Sequence, residues 1–153
     1  MQISFYPVRI LIFISFCLFF SSCSSEEKNK RIIHTDKAPE AIGPYSQAVE
    51  IENTIYLSGQ IPIDPGSGRI VEEEIKGQTH QVIKNISAIL HEAGYTLDDV
   101  VQCQIFLEDL DDYGEMNAVY SSYFKNDFPA RAVVEVSSIP RDALIEMMVV
   151  AKK

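Results

Sequence analysis

The sequence predicts an α/β sandwich, a β-sheet with helices over one of its faces. Three observations carry that expectation. Ile75, Thr79, Val82, Ile83, Ile86, Leu90 and Ala93 recur at helical spacing and Gly94 follows as a stop, so Glu73 to Ala93 reads as a helix. Val100 to Leu107 and Leu144 to Ala151 are short apolar runs rich in β-branched residues, which suit strands. Strands and helices alternate along the chain, an order that packs into layers around a shared core. The chain has 153 residues and is 46% apolar, enough to fill one such core.

Met1 to Ser22 reads as an export signal rather than as part of the fold. Arg9 closes a short basic region, and Ile10 to Phe20 is an apolar stretch too short to span a bilayer but suited to a signal-peptide core. Phe20-Ser21-Ser22-Cys23 resembles the lipobox of bacterial lipoproteins, which implies a lipidated Cys23 at the mature N-terminus. That places the product outside the cytosol, held to the cell envelope by its acyl chains as a periplasmic or outer-membrane lipoprotein. Residues 23–30 then read as a tether, since Ser24 to Lys30 holds no apolar side chain. The domain is expected over residues 31–153.

Within the domain, Arg31 to Thr35, Ser46 to Ile51 and Thr54 to Ile61 are strand candidates, with Glu52-Asn53 as a tight turn between the last two. Ile63 to Gly68 has the composition of a turn and lacks the spacing of a phosphate-binding loop. After the Val100 strand, Asp112 and Glu115 stand three apart like a capping box. The helix they open would carry Tyr113, Met116, Tyr120, Tyr123 and Phe124 on one apolar face. Ile139 to Asp142 breaks the chain before the last strand, whose single acid is Glu146. A small sheet with apolar residues on both faces needs a second cover, and self-association is its natural source.

Charge and cysteine use narrow the function. With 13 Lys and Arg against 22 Asp and Glu the net charge is −9, and because only Arg9 lies in the first 22 residues, the rest carries −10. Such a surface repels nucleic acid and anionic lipid. Cys17 leaves with the signal peptide and Cys23 would be acylated, so Cys103 is alone in the domain and no internal disulfide forms. Its apolar setting suits a buried strand thiol better than a nucleophile. His80 and His91 share a helix face but lie about 16 Å apart, too far for one metal ion.

The chemistry centres on Pro129 to Val136, PARAVVEV, where a cation interrupts a run with buried-strand character. Arg131 needs an anionic partner there. Glu135, four residues on along the same strand face, is one candidate; the carboxylate of a small ligand, gripped by the two-pronged guanidinium, is the other.

AIGPYSQAV, IYLSGQIPIDP, AILHEAGYTLDDVV and PARAVVEVSSIPRDALIEM resemble, in order, signature stretches of the RidA/YjgF family of reactive-intermediate deaminases, from about Ile32 to Lys153. The resemblance implies an α+β, chorismate-mutase-like fold: a mixed β-sheet with two helices on one face, assembled as a homotrimer with ligand clefts between subunits. It implies hydrolysis of 2-imino and enamine acids to 2-keto acids and ammonia, with no metal or organic cofactor. Arg131 falls on the family's carboxylate-binding arginine, Glu146 on its acid near the reacting carbon, and Tyr45, Ser58, Gly59 and Asn117 on cleft positions. Each has a plainer reading: a packing tyrosine for Tyr45, a solvent-facing strand acid for Glu146, a polar helix residue for Asn117. Val133 stands where the family often has a cysteine, which removes thiol chemistry. Most members are cytosolic, unlike a lipoprotein. A non-catalytic envelope trimer that binds small carboxylic acids in the same clefts is the alternative, and nucleic-acid cleavage, attributed to some relatives, conflicts with the charge.

Overall fold

A computed structural model describes residues 1–2, 29–71 and 74–153. The predicted signal peptide, Cys23, the tether up to residue 28 and the first residue of the predicted long helix lie outside the described residues. Six strands form one sheet: β1 Lys30–Ile33, β2 Ala48–Ile51, β3 Thr54–Leu57, β4 Val100–Leu107, β5 Ala130–Glu135 and β6 Ile145–Lys152. Two helices, α1 Ile75–Glu92 and α2 Tyr113–Tyr123, complete the expected order. The sheet runs β1-β2-β3-β6-β4-β5, antiparallel throughout except for the β4–β5 pair. This is the mixed α+β sheet with two helices that the sequence predicts.

Period-2 alternation sorts the sheet into two faces. Ile145, Met147, Val149 and Ala151 of β6 and Cys103, Ile105 and Leu107 of β4 are buried with Val82, Ile83, Ile86 and Leu90 of α1 and Met116 and Tyr120 of α2. The other face carries Ile32, Tyr56 and Val134, all exposed, beside half-buried Val49, Phe106, Met148 and Val150. It has no cover within the described chain.

Local chemistry sets the element ends. Gly94 takes φ 83 after α1, and Tyr95 N–H donates to the Leu90 carbonyl at 2.8 Å, closing a Schellman turn whose Tyr95 ring packs into the core. Arg31 clamps β1 down: its Nε donates to Glu50 at 2.6 Å and its Nη2 to the Ala93 carbonyl at 3.2 Å, while Tyr95 Oη donates to the other Glu50 oxygen at 2.9 Å. Glu52, at φ 56, forms the predicted turn between β2 and β3.

Three expectations change. β3 ends at Leu57, short of the predicted Ile61, because the ladder to β6 breaks and resumes only at the Gln60–Met147 bridge. Asp112 makes no side-chain cap: a 3-10 turn over Leu110–Asp112 runs straight into α2, so Asp112 is already helical, and Asp109 accepts the Asp111 N–H at 2.8 Å instead. β5 is an edge strand paired only with β4, so Val134 is 44% exposed where a buried strand was expected.

Buried amides then fix the loops that flank the sheet break. The Asn85 side chain, from α1, donates to the Ile61 and Ile63 carbonyls at 3.2 and 2.9 Å. Gln47 accepts from Thr35 N–H at 2.7 Å and donates to the Pro39 carbonyl at 2.8 Å, holding the 35–39 loop. Asn85 thereby anchors the chain on the C-terminal side of Gly59.

Candidate functional site

Arg131 sits on β5 in register with Cys103, on the sheet face that the helices cover. At this edge its guanidinium lies over the Tyr120 ring, 4.5 Å from the centroid, and Nη2 donates to Tyr113 Oη at 3.1 Å. Glu135 does not partner it; its carboxylate accepts the Leu110 N–H at 3.1 Å. Among the described residues Arg131 forms no ion pair. It opens into a cleft lined by Asn117, Tyr120, Ser121, Phe128 and Pro129. Asn117 lines that cleft, and its side-chain amide has no partner among the described residues; its backbone carbonyl accepts from Ser121 Oγ at 2.8 Å. A cation stacked on one side and unpaired on the other suits an incoming anion.

Cys103 lies beneath this arrangement. Burial pushes its thiol up to about 12, against the opposing pull of Arg131, so it remains a thiol at neutral pH. The Tyr120 phenol is buried beside it, and desolvation raises its pKa as well.

Glu146 occupies the opposite sheet face, in register with Phe106, which itself pairs with Val134. Its carboxylate lies against Gly59 so closely that a Cβ there would collide with it. With the carboxylate where it lies, only glycine leaves room for it, for reasons of space rather than of backbone angle. No described residue donates a hydrogen bond to Glu146, and desolvation raises its pKa above the ordinary 4.5. Gly59 also lines a small cavity with Tyr45, Ile42, Gln60 and Ile61. Tyr45 is 47% exposed, and its Oη accepts the Ile42 N–H at 3.2 Å. Ser58 Oγ donates to the Ser46 carbonyl at 2.7 Å and Ser58 N–H to the Gln47 carbonyl at 3.0 Å, so both donors are committed within the fold.

The candidate residues therefore form two groups within one chain. Arg131 and Asn117 share the cleft at α2, whereas Glu146, Gly59 and Tyr45 gather around the β3 break on the other side. The Tyr113–Tyr120 cradle and the buried Gln60 went unread in the sequence. Both tyrosines fitted a packing stripe, yet Tyr113 is 41% exposed and touches Arg131. Among the described residues no group of acidic, His and Cys side chains could hold a metal ion.

A family model described as Endoribonuclease L-PSP matches residues 35–153. The chain is 56% identical to a RutC family protein of Pyrococcus abyssi over 81% of its own length and 98% of that protein's. It is 45% identical to human 2-iminobutanoate/2-iminopropanoate deaminase, over 80% of this chain and 89% of the human one. The crystal structure of YyfA, a Rid family protein of unknown function from Yersinia pestis, superposes with a TM-score of 0.79 at 48% identity, covering 81% of this chain and 99% of that one.

Proposed function

The chain belongs to the Endoribonuclease L-PSP family, the RidA/YjgF family of the sequence resemblance, and on that premise we propose that it hydrolyses reactive 2-imino and enamine acids to 2-keto acids and ammonia. The observation that carries this reading is Arg131, a strand guanidinium with no ion pair among the described residues, stacked on Tyr120 and open to a cleft. An unpaired cation in such a setting selects a small carboxylate.

The chemistry asked of the residues is modest. Water adds to the imine carbon, giving a carbinolamine; the C–N bond then breaks, the nitrogen leaves as ammonia and the carbonyl forms. Arg131 holds the carboxylate so that the imine carbon is fixed against the water. Glu146, desolvated and without a donor, takes a proton from the attacking water and returns it to the departing nitrogen. Gly59 permits the close approach of that carboxylate, and Tyr45 and Asn117 line the two halves of the site.

These halves lie on opposite faces of one sheet, so a complete site takes Arg131 from one copy and Glu146 from a second. A homotrimer with its clefts between subunits satisfies this and covers the apolar open face. The test is release of 2-oxobutanoate from 2-iminobutanoate generated in the assay, with sedimentation of the domain alongside. Binding of 2-oxobutanoate without turnover would instead identify a non-catalytic carboxylate-binding trimer.

From the sequence we further propose that Cys23 is lipidated and tethers this domain to the cell envelope. Cys23→Ser should abolish incorporation of labelled fatty acid and membrane fractionation. Unchanged labelling would overturn this without touching the reading of the site.

A further inference from the structure

Tyr113 is the first residue of α2, and its hydroxyl is the only side-chain group among the described residues that hydrogen-bonds the Arg131 guanidinium. The Nη2···Oη distance is 3.1 Å, and Arg131 Cζ lies 5.8 Å from the Tyr113 ring centroid against 4.5 Å from that of Tyr120. The two rings therefore do different things. Tyr120 supplies a face beneath the cation, whereas Tyr113 meets it with its hydroxyl.

A phenolic oxygen that accepts one N–H still carries its own O–H. No described residue accepts that proton. It is thus a neutral donor standing directly beside an unpaired cation, with the unpartnered Asn117 amide one helical turn along.

We infer that Tyr113 is the second donor of the anion site. Its hydroxyl holds the Arg131 fork at one Nη and turns its own O–H to the same bound carboxylate. This rests on the reading that Arg131 grips the substrate carboxylate, and it adds a residue to that grip. A carboxylate accepts at both oxygens, so a charged fork and a neutral donor converge on it without repulsion. The same anchoring fixes which way the fork points, which a cation over a ring alone leaves free to rotate.

The test is Tyr113→Phe, an isosteric change at a 41% exposed position, which keeps the fold. Isothermal calorimetry with 2-oxobutanoate should show binding weakened about tenfold, the scale of one hydrogen bond to a charged group. For imine turnover KM should rise by about the same factor with kcat little changed, because the lost donor serves binding rather than the reacting carbon. In an Arg131→Ala background the same change should have a smaller effect, because the part that acts by holding the fork is already gone. Tyr123→Phe, on the same helix but bonded to His80, should bind as wild type. Tyr113→Phe that binds 2-oxobutanoate as tightly as wild type overturns the inference and leaves the deaminase reading standing. The reverse outcome, binding that depends on Tyr113 and Arg131 without keto-acid release from imines, supports the inference and removes the deaminase reading. A wild-type protein that does not bind 2-oxobutanoate removes both.

Discussion

Arg131 and Glu146 lie on opposite faces of the same sheet, the first in register with Cys103 on the helix side and the second with Phe106 on the open side. One chain cannot close both around a small molecule.

Arg131→Ala should lower kcat/KM on 2-iminobutanoate by about 30-fold to several thousand-fold, since an anion left unpaired in a partly desolvated cleft costs about 2–5 kcal/mol. Arg131→Lys should restore little, because one ammonium cannot reproduce the planar fork. Thermal stability should hardly change, as no ion pair is broken. Glu135→Ala should leave turnover intact, its carboxylate being engaged with Leu110 N–H. A destabilised but fully active Arg131→Ala would sink the assignment.

Two impaired variants should rescue each other. Arg131→Ala and Glu146→Gln, unfolded together and refolded as a mixture, share sites in which one copy supplies the arginine and its neighbour the acid. In a cyclic trimer mixed at random in equal amounts, about a quarter of the sites are then intact. Keto-acid release from the mixture well above the residual activity of either variant alone is the expected readout; a mixture no more active than its components, yet containing mixed oligomers by mass spectrometry, would exclude a shared site.

Glu146 links pH to both stability and rate. Burial penalises its charged form, so the folded chain holds this proton more tightly than the unfolded chain does. Its contribution to stability therefore falls as pH rises from the ordinary 4.5 through the raised value, and the full penalty applies above that. Glu146→Gln should melt higher than wild type at neutral pH, with the advantage gone below the ordinary value. Activity should run the other way in the wild type, rising with pH through the same raised pKa as the carboxylate becomes a base. A pH–rate profile flat across that range would rule out the role.

Gly59→Ala should uncouple folding from function. The new methyl meets the end of the Glu146 side chain, which can swing aside, rather than fixed backbone. The melting temperature should move little, whereas turnover should fall toward that of Glu146→Gln. Near-normal activity in Gly59→Ala would mean that the carboxylate position is immaterial.

The fold was legible because its signals are local. The periodic stripe of α1, the Gly94 stop and the alternation in β6 each report a face without reference to distant residues. For the candidate site the sequence offered residue identities, through the resemblance, but no arrangement of them. Whether Arg131 answered to Glu135 depended on where β5 sits in the sheet, and an edge position beside only β4 is a topological fact. The Tyr113 hydroxyl escaped notice for a related reason. Tyr113 is three residues before Met116 and seven before Tyr120, so it fits the packing stripe of α2. Only the folded structure shows that its tip meets Arg131. The break in β3 was missed although Gly59 was a signal for it, since an interior glycine often marks a bulge or close approach; Gln60 re-pairs with Met147 beyond the gap.

The Arg31 clamp decides how the domain answers a mechanical load. A pull away from the sheet at Lys30 would act on an edge strand and open its rungs in succession, like a zip, beginning with the Lys30–Ile51 pair. The next residue is Arg31, whose guanidinium passes the force to Glu50 and to the Ala93 carbonyl at the end of α1. Peeling would therefore stall at its second residue, and the tension would be shared with the helical layer. Arg31→Ala should lower the first rupture force in a single-molecule pulling experiment while sparing the later ones.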